Sequence, residues 1–106
     1  MSLLPNDAKE RKLLPIATGV LDYFPLALAE VARVSKAGND QHNGLNTPLH
    51  WDRSKSTDES DALIRHFLER DALDTDGTYH AAKMVCRGLA YLEKLLESKQ
   101  SVRGGL

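Results

Sequence analysis

The side chains most able to do chemistry in this chain lie in and around one acidic turn, in the stretch HFLERDALDTDGTYHAAK, residues 66 to 83. Carboxylates and imidazoles are common metal ligands, and imidazole and ammonium groups also bind phosphate. Residue types alone leave two interpretations open: a metal or phosphate site, or two helices joined by a well-capped turn. The candidate side chains are His66, Asp74, Asp76, His80 and Lys83.

The turn does not match the standard calcium and zinc motifs. If Gly77 is the central glycine of a calcium-binding EF-hand loop, Ala72 takes the first ligand position and Lys83 the last. His66 and His80 lack the close helical spacing of a zinc pair, and no cysteine pair accompanies them, which disfavours zinc. The chain also has no Gly-rich phosphate loop and no nucleophile-elbow motif.

Charged residues elsewhere in the chain widen this set of candidates. Magnesium takes carboxylate oxygens and bridges phosphates, so the whole set favours a magnesium–nucleotide complex over other metal sites. The hard-oxygen ligands would be Glu30, Asp61, Asp74 and Asp76, and the phosphate partners Arg65, His66, His80, Lys83 and Arg87. The single tryptophan, Trp51, lies in a polar segment, where it would either stack on a base or hold the loop against the core.

Three helices separated by polar loops are predicted to position these residues. The N-terminal segment, residues 1–19, contains two prolines and a glycine and reads as an arm with one short helix near residues 7–13. Pro25 suits a first helical turn and Gly38 a helix end, so the first main helix is predicted from about Pro25 to Lys36. A long loop from Gly38 to Ser56 would follow, and loops of this length are usually functional or mobile.

Two further helices flank the acidic turn. Ser56 and Glu59 fit a capping box for a second helix that ends near Arg70, with an ion pair between Asp61 and Arg65 on its outer side. The third helix is predicted to begin after an N-cap at Asp76 and to anchor the core. Its broad apolar arc comprises Ala81, Met84, Val85, Gly88, Leu89, Leu92, Leu95 and Leu96.

Composition limits the fold and the partners. A chain of 106 residues that is 42% apolar and 27% charged fits one all-α domain: arm 1–19, helical core 20–98 and flexible tail 99–106. Its 14 basic and 15 acidic residues nearly cancel, which argues against nucleic-acid or membrane-surface binding. One cysteine and no long apolar run fit a cytoplasmic protein. The apolar arc of the third helix exceeds what a small bundle buries, so a homodimer or higher oligomer is expected.

Three runs of this sequence resemble the phage and bacterial family called dATP/dGTP diphosphohydrolase N-terminal domain. They are EVARVSKAGNDQHN, HWDRSKSTDESDALIRH and DTDGTYHAAKMVCRGLAYL, within a match from about Leu13 to Leu96. That family is similar to MazG-like all-α pyrophosphohydrolases, which use magnesium to cleave a nucleoside triphosphate to monophosphate and pyrophosphate. The resemblance implies a MazG-like bundle, a purine deoxynucleotide ligand, and roles for Glu30, Trp51, Asp61, Arg65, His66, Asp74 and His80.

The resemblance has one departure that keeps the function open. MazG-like enzymes carry paired glutamates one helical turn apart, but Ala27 stands one turn before Glu30 here. The first hypothesis is therefore a magnesium-dependent pyrophosphohydrolase. Its metal ligands would be Glu30, Asp61 and Asp74, with His66 and His80 catalytic and Trp51, Arg65, Lys83 and Arg87 on the nucleotide. The alternatives are a non-catalytic phage-type protein that sequesters a nucleotide or nucleotide signal, and a structural interaction protein.

Overall fold

The structure is a computed structural model that describes the backbone of residues 4–104 and the side chains of residues 4–99. The described residues form five α-helices, α1 (Ala8–Lys12), α2 (Ile16–Gly19), α3 (Pro25–Asn43), α4 (Glu59–Leu68) and α5 (His80–Gly104), and a short 3-10 helix at Leu21–Tyr23. The described residues form no β-strand, only one isolated bridge between Leu73 and Tyr79. The predicted all-α class is confirmed.

Helix α5 is the centre of the fold, because α3 and α4 both pack on it. Within the described residues, α3 and α4 have no packing contact with each other. The core is correspondingly small, and its buried apolar side chains are Ala62 of α4 and Ala82 of α5. The half-buried thiol of Cys86 donates to the carbonyl oxygen of Val31 at 3.8 Å, in accord with a core-facing cysteine, and burial raises the pKa of this thiol.

The N-terminal arm contains the predicted short helix, α1. Asp7 caps it by accepting a hydrogen bond from the N–H of Glu10 at 3.3 Å. Residues 1–3 of the predicted arm lie outside the described residues. Much of the rest of the arm and the connection to α3 is apolar but exposed, including Leu13, Ile16, Val20, Leu21, Tyr23 and Phe24.

Helix α3 is longer than predicted. A glycine inside a helix costs only about 0.5 to 1 kcal/mol relative to alanine, so Gly38 does not end α3. The helix continues past Lys36, and an i,i+4 ion pair between Lys36 and Asp40, at 2.6 Å, spans the glycine. The helix ends instead at Gly44, whose φ of +91° is the left-handed conformation that favours glycine. The prediction of a loop from Gly38 was therefore wrong, and the connection to α4 covers residues 44–58.

Buried Asn39 holds the start of this connection against α3. Its side-chain nitrogen donates to the backbone oxygen and hydroxyl of Thr47, at 3.3 and 3.1 Å. Its side-chain oxygen accepts from the N–H of His50 at 3.1 Å and from Asn43 at 2.7 Å. A side-chain amide can form four hydrogen bonds in this way. Asn39, which the sequence placed in the loop, therefore belongs to α3 and holds the start of the connection in place.

The predicted caps of α4 and α5 also differ from the structure. The residue before α4 is Asp58, and Ser56 donates to the Asp58 carboxylate at 3.1 Å instead of forming a capping box with Glu59. Glu59 is buried, and Lys94 of α5 lies 2.8 Å from it. Helix α4 ends at Leu68, and Asp76 stands four residues before α5, too far to be its N-cap.

Helix α5 is the longest element and exposes much of its apolar arc. Leu89, Leu92, Leu95 and Leu96 are all solvent-exposed, so the arc predicted to anchor the core is only partly used within one chain. The helix includes residues 99–104 of the predicted tail, and residues 105–106 lie outside the described part of the chain. Among the described residues no single helix is long and apolar enough to cross a membrane; one bent pair, 8–23 with 25–43, meets the criteria of length and composition.

Candidate functional site

A tight turn between α4 and α5 brings two distant histidines together. His66 lies in the last turn of α4, and His80 is the first residue of α5. Between them the backbone folds back on itself: the N–H of Asp74 donates to the carbonyl of Thr78 at 2.7 Å, and the N–H of His80 donates to the carbonyl of Ala72 at 3.1 Å. These bonds make α4 and α5 neighbours at this end of the fold, which we call the histidine corner (His66, Asp74, His80 and Lys83).

The two imidazoles of the histidine corner are in direct contact. Nδ1 of His66 lies 2.9 Å from Nδ1 of His80, so one ring donates to the other, and Oδ2 of Asp74 lies 3.9 Å from Nδ1 of His80. His80 is buried and His66 half-buried. The part of the chain described contains one group of three or more His, Cys, Asp or Glu side chains that could hold a metal ion: His66, Asp74 and His80. Their ligand atoms all lie within 4.8 Å of one another.

Lys83 neutralises the carboxylates of the histidine corner. Its ammonium lies 2.6 Å from Asp74 and 3.0 Å from Asp76. The hydrogen bond from Lys83 holds the pKa of Asp74 below its usual value, and hydrogen bonds from Thr78 lower the pKa of Asp76 to about 2. Burial opposes the charge on Lys83, but its hydrogen bonds to the two carboxylates raise its pKa overall. The carboxylates are therefore ionised at neutral pH.

His66 is neutral at physiological pH. Burial, followed by the neighbouring His80 ring and the positive charges of Lys83 and Arg87, lowers the pKa of His66 from its ordinary value. A neutral imidazole is the form that binds a metal ion or accepts a proton. The histidine corner therefore presents an unprotonated imidazole beside an ionised carboxylate, a combination that suits a cation better than a free anion.

Glu69 lies beside the histidine corner, and no sequence pattern predicted this position. It follows α4 directly, and its carboxylate lies 3.7 Å from Nε2 of His80. A metal-bound histidine generally donates its second ring N–H to a carboxylate or carbonyl, which fixes the tautomer and the ring orientation. Glu69 stands on the side of His80 where such a partner is needed. Its position in an acidic stretch with Arg70 and Asp71 offers no signal that distinguishes it from a solvent-exposed charge.

The other predicted nucleotide-binding residues are engaged elsewhere. Arg87 donates to the hydroxyl of Ser56 at 2.7 Å, and Arg65 pairs with Asp58 at 2.9 Å instead of the predicted Asp61. Trp51 is partly exposed, and the guanidinium of Arg53 lies 4.3 Å from its ring centre. Arg53 in turn pairs with Glu97 of α5 at 2.8 Å, so this aromatic is linked to α5 through a cation.

The three predicted magnesium ligands do not converge. Glu30 pairs with Arg33 on α3 at 3.3 Å, Asp61 is exposed on α4, and Asp74 belongs to the histidine corner. Glu30 and Asp61 are absent from the one cluster of potential metal ligands in the described residues. The prediction of a magnesium ion held by these three side chains gains no support from this arrangement.

Comparisons with known proteins found no relative: no protein-family model, no curated protein and no solved structure matches this chain.

Proposed function

We propose that this protein binds a divalent metal ion at the histidine corner and acts as a metal-dependent pyrophosphohydrolase on a nucleoside triphosphate. The observation that carries the proposal is the meeting of His66, Asp74 and His80, which come from a helix, a turn and a second helix. Two imidazoles and one carboxylate, with further positions open to water or substrate, form a ligand set typical of catalytic metal sites.

The spacing of the donor atoms supports this reading. Two nitrogens bound to one ion at about 2.1 Å lie about 2.9 to 3.4 Å apart, depending on the coordination angle. Nδ1 of His66 and Nδ1 of His80 are already 2.9 Å apart. Asp74 Oδ2, at 3.9 Å from His80 Nδ1, would have to move about 0.5 Å closer to that nitrogen on the same geometric basis, and up to about 1.4 Å closer to His66, because the three ligand atoms spread over as much as 4.8 Å. It would also have to release Lys83.

The donor set favours a transition-metal ion over magnesium. Magnesium prefers an octahedron of oxygen ligands, whereas imidazole nitrogen suits zinc, iron, cobalt and nickel. The histidine corner offers two nitrogens and one oxygen. We therefore propose zinc, or a first-row ion that shares its ligands, in place of the magnesium predicted from the dispersed carboxylates. When bound, such an ion would polarise a phosphoryl oxygen and lower the pKa of a water molecule.

The assignment of a phosphate substrate depends on the cations beside the cluster and on the family resemblance. Lys83 reaches Asp74 and Asp76 at this corner, and Arg87 is near enough for its charge to act on His66. A metal ion that takes Asp74 would free the Lys83 ammonium to pair with a phosphate oxygen. The purine deoxynucleotide and the release of pyrophosphate are expectations from the resemblance alone.

A second candidate function is metal-assisted nucleotide binding without hydrolysis. The observation in its favour is that Lys83 already pairs with Asp74 and with the neighbouring Asp76. While Lys83 holds these two carboxylates, neither is available to activate a water molecule. Such a protein would hold its ligand intact and would still need His66, His80 and Lys83.

Metal titration tests the site directly. Cobalt(II) is added to the purified protein, and the visible absorption bands that imidazole ligands produce are followed, with zinc as the competitor. We expect one ion per chain, and a loss of affinity of at least about 10-fold in His66→Ala and in His80→Ala, as for loss of a ligand contact. The control is His42→Ala, an exposed histidine of α3 outside the corner. Helical circular dichroism checks that each variant is folded.

Lys83→Met separates a metal site from a purely structural hydrogen-bond cluster. Because Lys83 competes with the ion for Asp74, its removal should tighten metal binding while weakening nucleotide binding. Products are then identified after incubation with deoxy- and ribonucleoside triphosphates and the bound metal. Monophosphate with pyrophosphate supports the hydrolase, and recovery of intact bound nucleotide supports the second candidate. Folded protein that binds no ion at all would leave the histidine pair as an inter-helix contact and overturn both.

A further inference from the structure

One face of α5 carries an apolar row that the rest of the described chain leaves about half exposed. The row consists of Val85, Leu89, Leu92 and Leu96, spaced by four, three and four residues. All four side chains are between 41% and 53% exposed. On an α-helix, residues spaced alternately by three and four positions lie within an arc of about 60°. The same spacing occurs along the contact line of paired helices. We call this row the α5 seam.

The α5 seam faces the gap between α3 and α4. Cys86 contacts Val31 of α3, and a side chain at Gly88 would lie 3.5 Å from Leu63 of α4. An α-helix turns by about 100° per residue. Viewed along the helix axis, Cys86 therefore lies roughly 90° to one side of the centre of the seam, and Gly88 roughly 70° to the other side. The two shorter helices therefore lie on opposite sides of the seam, and within the described residues they do not pack against each other.

The chain exposes more surface than a compact monomer of its mass. The chain has a solvent-accessible surface of 8388 Å² and a mass of 11.7 kDa. A compact monomer of this mass exposes about 5,900 Å², so the excess is about 2,500 Å². The radius of gyration of 15.9 Å likewise exceeds the value of about 13 Å for a compact chain of this length. Obligate dimers bury about 1,000 to 2,500 Å² per chain, so the excess matches an interface of that class.

We infer that the α5 seam pairs with the same seam of a second copy of this chain, so that two α5 helices lie side by side in a homodimer. A symmetric dimer needs a self-complementary patch, and an apolar row without charged members meets that requirement. The net charge of −1 per chain sets little long-range repulsion against self-association. The exposed apolar arm, residues 13–24, adds to the surface that a second copy can cover. This inference concerns a different face of α5 from the histidine corner and does not depend on the proposed function.

Sedimentation equilibrium of the full chain tests the pairing. We expect twice the mass of 11.7 kDa at micromolar concentration. Leu89→Lys and Leu92→Glu each place a charge at the centre of the seam and should raise the dissociation constant at least about 100-fold, because an unpaired charge would be buried. The control is Leu68→Lys, which charges a leucine at the end of α4 that is more exposed, at 73%, and lies outside the seam, so the dimer should remain intact.

Mixing experiments distinguish loss of pairing from loss of folding. If the two α5 helices run antiparallel, Leu89 faces Leu92 of the other copy, so Leu89→Lys mixed with Leu92→Glu should re-form a dimer. If they run parallel, Leu89→Lys mixed with Leu89→Glu should do so. A monomeric parent protein, a dimer that survives Leu89→Lys, or the failure of both mixtures would overturn the inference. Binding of the monomer to phosphatidylglycerol vesicles through Leu89 would also overturn it, by assigning the seam to a lipid surface.

Discussion

Replacing Lys94 by methionine would test the main polar link between α4 and α5. The ammonium of Lys94 lies 2.8 Å from Glu59, whose side chain is only 7% exposed, and also donates to the backbone oxygen of Ser56 at 2.6 Å. Methionine keeps most of the aliphatic stem but leaves a carboxylate buried without its partner. Hydrogen bonds to charged groups contribute about 1.5 to 3 kcal/mol, and partial exposure of Lys94 offsets part of the loss. We expect a loss of about 2 kcal/mol in the free energy of unfolding, or about 10 °C in Tm.

The pH dependence of that loss identifies its cause. The hydrogen bond from Lys94 lowers the pKa of Glu59 below its ordinary value of 4.5. A carboxyl group with a lowered folded-state pKa stabilises the fold above the unfolded-state pKa, and this stabilisation disappears as the pH falls through the folded-state pKa. The difference in the free energy of unfolding between parent and Lys94→Met should therefore fall to about half between pH 7 and pH 3. At pH 3 the substitution removes only the hydrogen bond from Lys94 to Ser56.

Urea denaturation at fixed protein concentration, repeated across this pH range, measures the effect. The matched control is Lys36→Met, which breaks the exposed ion pair with Asp40 and should cost less than about 0.5 kcal/mol at any pH. A difference between parent and Lys94→Met that is equally large at pH 3 and pH 7 would refute the role assigned to the charge on Glu59. So would a loss at pH 7 no greater than that of the control.

Three further predictions concern backbone and loop positions. Gly38→Ala should raise the free energy of unfolding by about 0.5 to 1 kcal/mol, because Gly38 lies inside α3 with open space around a Cβ; a loss of stability would contradict the helix. Gly77→Ala should cost about 1 kcal/mol because of a φ of +82°, and an unchanged Tm would argue against this turn. Asn39→Ala should cost about 2 kcal/mol and speed hydrogen exchange at the His50 amide, whereas unaltered exchange would show that Asn39 does not hold the loop.

Local patterns in the sequence were sufficient for the fold class and the identity of the helices. Helical periodicity, Pro25 at a first turn and the prolines and glycine that bound the arm helix each act within one or two helical turns, so α1, α3, α4 and α5 were all predicted. Helix ends were predicted less well, since the end of α3 depends on competition between two glycines. Gly38 is bridged by the ion pair of Lys36, and the helix stops at Gly44.

The arrangement of the site was decided by tertiary structure. His66 and His80 were selected by residue type, but their spacing along the chain matches no local metal motif, and only the fold of the intervening turn brings their Nδ1 atoms to 2.9 Å. Glu30 and Asp61 lie outside the cluster and Glu69 lies next to His80, because contacts between helices depend on rotation and register that no short pattern records. Which residues could bind a metal was thus readable from side-chain chemistry, whereas which of them can share one ion was set by how α4 packs against α5.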